Sequence, residues 1–310
     1  MDAAIDRRLA ALARRWRTYW PRDDAAAMAA DVRARAAAAI AAWSLDDARV
    51  IPGGEVALVL AARRAGRPVV VKAHPRGHPE TAALAGEGEA LAFWRPTGAV
   101  PALEGRRDGG LTLLLERVVP GTPLDETGAS WDERLDVLGA LVARLHAAGL
   151  PPTPFPHIGG NDPAWRTALA GDAAEHALLG DLLRPGARDV LLHADLHGAN
   201  ALRDAGGGWR AIDPHAVIGD RHADVWALID PLAPALPADP DAARATALAW
   251  LERYAAAAGM DPGRAAAWVR VRARREARGI EAQAAPDPEE LAWRERLHRM
   301  ADALADPEIV

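Results

Sequence analysis

Residues 191–225, LLHADLHGANALRDAGGGWRAIDPHAVIGDRHADV, hold His193, Asp195, His197, Asn200, Asp213, His215, Asp220, His222 and Asp224 in one short stretch. Polar side chains set in apolar frames must be satisfied by partners or by a ligand. Two chemistries fit. Phosphoryl transfer needs a carboxylate to orient and deprotonate the attacking hydroxyl, oxygen ligands for Mg²⁺, and a cation on the nucleotide phosphates. On that reading Asp195 is the catalytic base and His193 braces its loop. Asn200 and Asp213 hold the metal, because hard Mg²⁺ takes carboxylate and amide oxygens. Lys72 grips the α- and β-phosphates. The other chemistry is metal-dependent hydrolysis, in which His193-x-Asp195-x-His197, extended by His222 and Asp224, supplies the imidazole and carboxylate donors of a transition-metal site. That reading leaves Lys72 and Asn200 without a role.

Rarity decides between them. The chain has 37 basic residues, and Lys72 is its one lysine; Asn occurs only at 161 and 200. Ala, Arg, Gly and Pro are abundant, the mark of a coding bias acting on positions that tolerate exchange. Arg does not replace Lys where a compact charge on a slim stem must fit between a carboxylate and two phosphates. Lys72 ends the β-branched run PVVVKAHP, as such a residue should. Glu89, 17 residues on, is expected to pair with it, with Glu80 and Glu87 as alternatives.

These residues need elements to position them. Residues 4–43 read as Ala/Arg-rich helix in one or two pieces, broken near Pro21. The apolar runs 56–60 and 69–71 flank the turn signal Arg64-Ala65-Gly66-Arg67-Pro68 and predict an antiparallel hairpin. Glu89 to Trp94 reads as helix, its start weakened by Gly86 and Gly88. LTLLLERVV, 111–119, reads as a strand ended by Pro120-Gly121. SWDE, 130–133, is a capping box, followed at helical spacing by Leu135, Leu138, Leu141, Val142 and Leu145. After two short strand–loop segments and the Pro-rich connection 231–240, residues 241–305 read as helix with one turn at 259–263. The expected division is a strand-rich unit, 1–118, and a helical unit, 119–310, meeting at a hinge near 118–122.

His193-Ala-Asp195-Leu-His-Gly-Ala-Asn200, followed by Ile212-Asp213-Pro214, resembles the catalytic and metal-binding loops of the aminoglycoside phosphotransferases. The strings GEALAFW, LLLERVVPGTPL, LLHADLHGANAL and GWRAIDPHAVIGDRHADV, in that order, are similar to the streptomycin 6-kinase and hydroxyurea phosphotransferase branch over about residues 50–235. The resemblance implies an α+β, bilobal protein-kinase-like fold, with a small antiparallel-sheet N-lobe that binds nucleotide and a mainly helical C-lobe that carries the catalytic loop and acceptor site. It also implies ATP and Mg²⁺ as cofactors and transfer of phosphate to a hydroxyl. Carried over, Asp195 is the base, Asn200 and Asp213 bind Mg²⁺, and Lys72 pairs with Glu89. Glu116 to Val119, with Val118 among them, form the hinge that meets adenine, and Asp220 and Asp224 tie the catalytic loop to the helix behind it. Two departures stand out. Ala194 replaces the family's usual Gly, and the nucleotide-covering loop, IPGGEVALV, offers only Gly53 and Gly54 for phosphate contacts.

Composition narrows the alternatives. At 310 residues the chain is long enough for two modest domains or one large one, each with a real core. It has no cysteine, which excludes disulfides and thiolate chemistry and fits a reducing cytoplasm. The N-terminus lacks the apolar core of a signal peptide, and no apolar run approaches the roughly 18 residues of a membrane span. Ser44 and Ser130 are the only serines and neither lies in G-x-S-x-G, which disfavours a serine hydrolase. The Arg-rich run RVRARREARG, 270–279, reads as a solvated helix face flanked by acids rather than a nucleic-acid surface. Residues 1–118 carry 18 basic and 14 acidic groups, a net of +4, and residues 119–310 carry 19 and 29, a net of −10. An acidic rear favours a cationic acceptor such as an aminoglycoside over neutral hydroxyurea.

Overall fold

Alternation along one hairpin sets the architecture of the first unit. The computed structural model describes residues 3–19, 24–54, 56–77, 81–160, 169, 172–229, 236–283 and 286–305. These fall into two compact units, 1–121 and 122–310. In the first, strands β2 (Leu58–Arg64) and β3 (Arg67–Ala73) pair antiparallel with Arg64 opposite Arg67. The loop is therefore Ala65-Gly66 alone, and both residues have positive φ, 48° and 79°. That is the backbone of a type I′ turn, whose twist matches the flanking strands.

Leu58, Leu60 and Ala62 of β2 and Val69, Val71 and Ala73 of β3 point to one face. They form a core with Ile5, Leu9, Leu12 and Trp16 of helix α1 (Ala3–Tyr19) and Val32, Ala36 and Ala39 of helix α2 (Ala25–Ala42). The residues 20–23 between these helices, where the break near Pro21 was expected, lie outside the described ones. The same alternation turns Lys72 to the opposite face.

The sheet has five strands in the order β1-β2-β3-β5-β4, with β1 Leu45–Val50, β4 Leu103–Arg107 and β5 Thr112–Glu116. Helix α3 runs from Thr81 to Trp94, through both Gly86 and Gly88 rather than starting near Glu89. Gly88 is needed for close packing: a Cβ there would stand 3.0 Å from Leu113 Cδ2 on β5.

In the second unit the capping box forms as read. Ser130 Oγ accepts from Glu133 N, and Glu133 accepts from Ser130 N. Helix α4 (Trp131–His146) buries the five predicted apolar residues. Helix α5 (Ala173–Leu182) precedes two small strand groups. One pairs β7 (Asp189–Leu192) with β10 (Val217–Asp220); the other has the order β6-β8-β9, with β6 Pro120–Pro123, β8 Ala201–Asp204 and β9 Trp209–Ala211.

Among the described residues the tail is three helices, α6 (Pro240–Ala258), α7 (Pro262–Glu281) and α8 (Pro288–Ala303). The sequence predicted a single turn at 259–263, but a second break precedes Asp287, which caps α8 with Glu290 in another capping box. The Pro-rich connection lies partly outside the described residues, at 231–235. Among the described residues no helix is long and apolar enough to cross a membrane.

The Arg-rich run on α7 is only in part a solvated face: Arg278 is exposed, while Arg270, Arg272, Arg274 and Arg275 are half-buried. Arg270 pairs with Glu175 at 2.6 Å and Arg274 with Asp302 at 2.6 Å. Arg275 and Arg278 pair with Glu276 and Glu281 of the same helix, at 2.7 and 3.7 Å, as the local acids suggested, but the partners of Arg270 and Arg274 come from distant elements, which the local sequence could not show.

Candidate active site

In the first unit Lys72 is buried, and its Nζ lies 2.8 Å from Oε2 and 3.0 Å from Oε1 of Glu87, which is 2% exposed. The expected partner, Glu89, is instead paired with Arg106 of β4. The reason is helical phase: residues two apart point about 200° away from each other, so only one of the two glutamates can reach Lys72 on β3. Glu80 lies outside the described residues.

Glu87 has a second partner that sequence reading missed. His74 Nε2 sits 2.8 Å from Glu87 Oε2, with the ring 1% exposed. Facing an ionised carboxylate, that nitrogen carries the proton. The backbone of His74 is itself fixed: its N–H donates to Leu111 O, and its carbonyl accepts from Arg35 of α2, which also donates to Thr112 Oγ1 at 2.9 Å and to Asp31 Oδ2 at 2.9 Å. The strand end that carries Lys72 is thus strapped from one side by α2 and from the other by α3. No spacing in the sequence signals Arg35 or His74.

Gly53 and Gly54 both have positive φ, and their carbonyls accept from Arg8 Nη2 of α1. In the predicted hinge, Glu116 N donates to Ala102 O at 2.8 Å and Glu116 Oε2 accepts from Ala102 N at 3.0 Å. Val118 follows, 9% exposed, and makes no backbone hydrogen bond among the described residues.

In the second unit β7 delivers the chain to His193, which is fully buried. His193 N and Ala194 N both donate to the Asp224 carboxylate, at 2.9 and 2.6 Å. Asp224 also meets His146 Nε2 of α4 at 2.8 Å, and its carbonyl accepts from Tyr254 OH of α6. Burial alone would raise the Asp224 carboxyl, but the His146 contact and the His193 N–H hold it below the usual range. Asp220 caps its own short turn through His222 N and pairs with Arg264 of α7. The two aspartates therefore brace the loop and the helices around it.

His193 Nε2 donates to Ile212 O at 3.0 Å, since a carbonyl can only accept, and burial pushes the ring's pKa down. Ala194 has φ 62°, which explains why a Gly fits that place. Gly198 is packed against Asp125: a Cβ there would overlap Asp125 Oδ1.

Asn200 Nδ2 lies 2.9 Å from Asp195 O, 3.2 Å from Asp195 Oδ2 and 3.1 Å from His197 Nε2. The Asp195 oxygens can only accept, so the amide nitrogen is the atom facing them and His197 Nε2 is an acceptor. Asn200 Oδ1 then carries no hydrogen bond among the described residues. The β8–β9 pairing sets Ala201 opposite Ala211, and Ile212 N donates to Asn200 O at 2.9 Å. That register brings Asp213 to within one residue of the position opposite Asn200. Asp213 has φ 60°, a conformation Asp tolerates.

The hydrolase arrangement does not form. His193 is turned to Ile212 O, and His222 spends Nδ1 on Asp220, 2.6 Å away, and Nε2 on Asp261 N, 3.1 Å away. Among the described residues no group of three His, Cys, Asp or Glu could hold a metal. A Mg²⁺-nucleotide asks less of the protein, one or two oxygen ligands beside the phosphates. Asn200 Oδ1 and the Asp213 carboxylate fit that demand.

The sequence model of aminoglycoside/hydroxyurea antibiotic resistance kinases matches residues 42–281. A streptomycin 6-kinase from Streptomyces griseus is 32% identical over 247 residues, covering 74% of this chain and 76% of that protein. A streptomycin 3''-kinase from Klebsiella pneumoniae is 34% identical over 145 residues, 43% of this chain and 52% of that protein. Among solved structures, a choline/ethanolamine kinase family protein from Mesorhizobium loti aligns with a TM-score of 0.61 at 16% identity, over 91% of this chain and 96% of that one. An amicoumacin kinase solved with AMP-PNP, Ca²⁺ and Ami also aligns with a TM-score of 0.61 at 16% identity, over 88% of this chain and 95% of that one. The fold is thus the bilobal protein-kinase-like one, α+β, and the chain belongs to the aminoglycoside/hydroxyurea antibiotic resistance kinases, as a phosphotransferase acting on a hydroxyl group.

Proposed function

We propose that the protein transfers the γ-phosphate of ATP to a hydroxyl of a streptomycin-like aminoglycoside in the cytoplasm. One observation carries the chemistry: the Asn200 amide holds Asp195 Oδ2 at 3.2 Å, on a loop whose preceding N–H groups are fixed by Asp224. Asp195 Oδ1 carries no hydrogen bond among the described residues and is the atom to orient the acceptor hydroxyl and take its proton. Asn200 and Asp213 would hold Mg²⁺, which supplies charge neutralisation at the β- and γ-phosphate oxygens.

In the first unit, 1–118 in its functional extent, Lys72 is the cation for the α- and β-phosphates, kept in place by Glu87, while Glu89 serves only the outer edge of α3. Val118 is the better adenine contact, because the Glu116 N–H is already engaged. Gly53 and Gly54 cover the phosphates. Residues 119–310 hold the catalytic loop and the acceptor, a small molecule rather than nucleic acid.

The test is nucleotide consumption by the purified protein against aminoglycosides, hydroxyurea and amino sugars, run beside Asp195→Asn. Mg²⁺-dependent ADP release with streptomycin, cut by about 10²–10⁴-fold to a measurable remainder in Asp195→Asn, is expected. Turnover with hydroxyurea alone would reassign the acceptor, and an unimpaired Asp195→Asn enzyme would remove the base.

A further inference from the structure

We propose that Arg272, on α7, is a positioning residue for phosphoryl transfer, holding the peptide that leads into Asp195. The proposal rests on the reading of Asp195 as the base. Arg272 Nη2 donates to the Ala194 carbonyl at 2.8 Å. Its guanidinium stacks over Trp226, 4.6 Å from the ring centroid, and Nη1 reaches toward Ala223 O at 3.5 Å.

The side chain is an expensive one to keep here. Nε is shut from solvent without a hydrogen-bond partner, and among the described residues no carboxylate lies within ion-pair distance. Burial pushes the guanidinium below its ordinary range, opposed at longer range by Glu276, Asp195 and Asp224, with Arg275 adding to the depression. A half-buried cation without a contact ion gives up part of its hydration with no ion pair to offset it, and an apolar side chain could fill the same space over Trp226.

What the cation does is complete a clamp. Asp224 takes the N–H groups of His193 and Ala194, and Arg272 takes the carbonyl of Ala194, so the peptide groups on both sides of this φ 62° residue are fixed. The next side chain is Asp195, and among the described residues Asn200 Nδ2 and, more remotely, His197 Nε2 at 3.9 Å are the groups that meet its carboxylate. Its aim is therefore set largely by the backbone that Arg272 and Asp224 hold, and a misplacement of about 1 Å at a reacting group can cost about 100-fold in rate.

The experiment compares Arg272→Met, which keeps the stack on Trp226, with Arg272→Lys. Turnover is read as ADP release with streptomycin and with water alone as acceptor, Mg²⁺-ATP affinity by calorimetry, and folding by Tm. For Arg272→Met, kcat is expected to fall about 10- to 100-fold, with nucleotide affinity within about twofold and Tm little changed. Arg272→Lys, which can still donate to Ala194 O, should recover part of the rate. In an Asp195→Asn background, Arg272→Met should cost nothing further, because the two act through one carboxylate.

Wild-type kcat in Arg272→Met overturns the proposal. So does a loss of rate that follows the folded fraction and persists undiminished on Asp195→Asn. If Arg272→Met does not fold, Arg272→Gln and Arg272→Lys carry the same comparison. An Asp195→Asn enzyme with wild-type turnover overturns the base assignment itself and the route through it, whatever Arg272→Met shows.

Discussion

Lys72 and Asp195 were legible for different reasons. Lys72 stood out because nothing else in the chain is lysine, and Asp195 because Asn200 follows it at five residues and Asp213 at eighteen. The partner of Lys72 was not legible, since choosing between Glu87 and Glu89 requires knowing which side of α3 meets the sheet. On the proposed reading Lys72 stands between Glu87 and a nucleotide phosphate, a place that suits a compact ammonium and not a planar guanidinium. Lys72→Arg should therefore lose about 100-fold or more in kcat/KM for ATP while remaining folded; a fully active variant would make the lone lysine an accident of composition. His193 offers a pH test. Its folded pKa is depressed, so near pH 6.5 the unfolded chain binds a proton that the native state refuses. Its contribution to stability is complete above about pH 6.5 and is lost as pH falls toward the folded pKa. Urea unfolding at pH 7.5 and 5.5 should show wild-type protein losing more stability than His193→Gln, which cannot titrate. Equal losses in the two proteins would mean that burial of the ring has no such effect.

Among the elements, those with two-sided burial or strong caps were readable and the edges were not. The β2–β3 hairpin announced itself by apolar runs around a glycine turn, and α4 by its capping box. Strands β1 and β4 went unread because they are the two edges of the sheet. Edge strands tolerate charge and need no alternation, and LDDARV and LEGRR show none. The loop proposed to carry the base depends on a contact between two short turns, 124–126 and 198–200. Gly198 admits the Asp125 carboxylate, which Arg134 of α4 fixes at 3.1 Å. Gly198→Ala must push either the loop or Asp125 aside. The expected result is about 1–3 kcal/mol of lost stability, as for other overpacked sites, with a drop in kcat of at least about tenfold from displacement of Asn200, two residues on. Adding Asp125→Ala should return much of the rate by vacating the space. If the double variant is no faster than Gly198→Ala, the loop is strained by something other than Asp125.

At the scale of the whole chain, charge is the property left to use. The net of +4 over residues 1–118 and −10 over 119–310 was visible in the sequence, and the site reading assigns the anionic nucleotide to the first and the acceptor to the second. A field from many charges acts over roughly a Debye length, about 10 Å at 0.1 M salt and about 3 Å at 1 M. It raises the local concentration of an oppositely charged ligand without contributing to the chemical step. Streptomycin, a guanidinium-bearing cation, should therefore bind more weakly as salt rises, with KM increasing severalfold between about 0.05 and 0.5 M salt while kcat holds, because in the roles proposed for them Asp195, Asn200 and Asp213 act at contact distance where screening is small. A neutral acceptor such as hydroxyurea should show no comparable rise. The comparison is made at saturating Mg²⁺-ATP, so that screening of the nucleotide does not enter. A streptomycin KM indifferent to salt would show that the acidic excess of the second unit is spread over surface remote from the acceptor, and that short-range contacts alone select the cation.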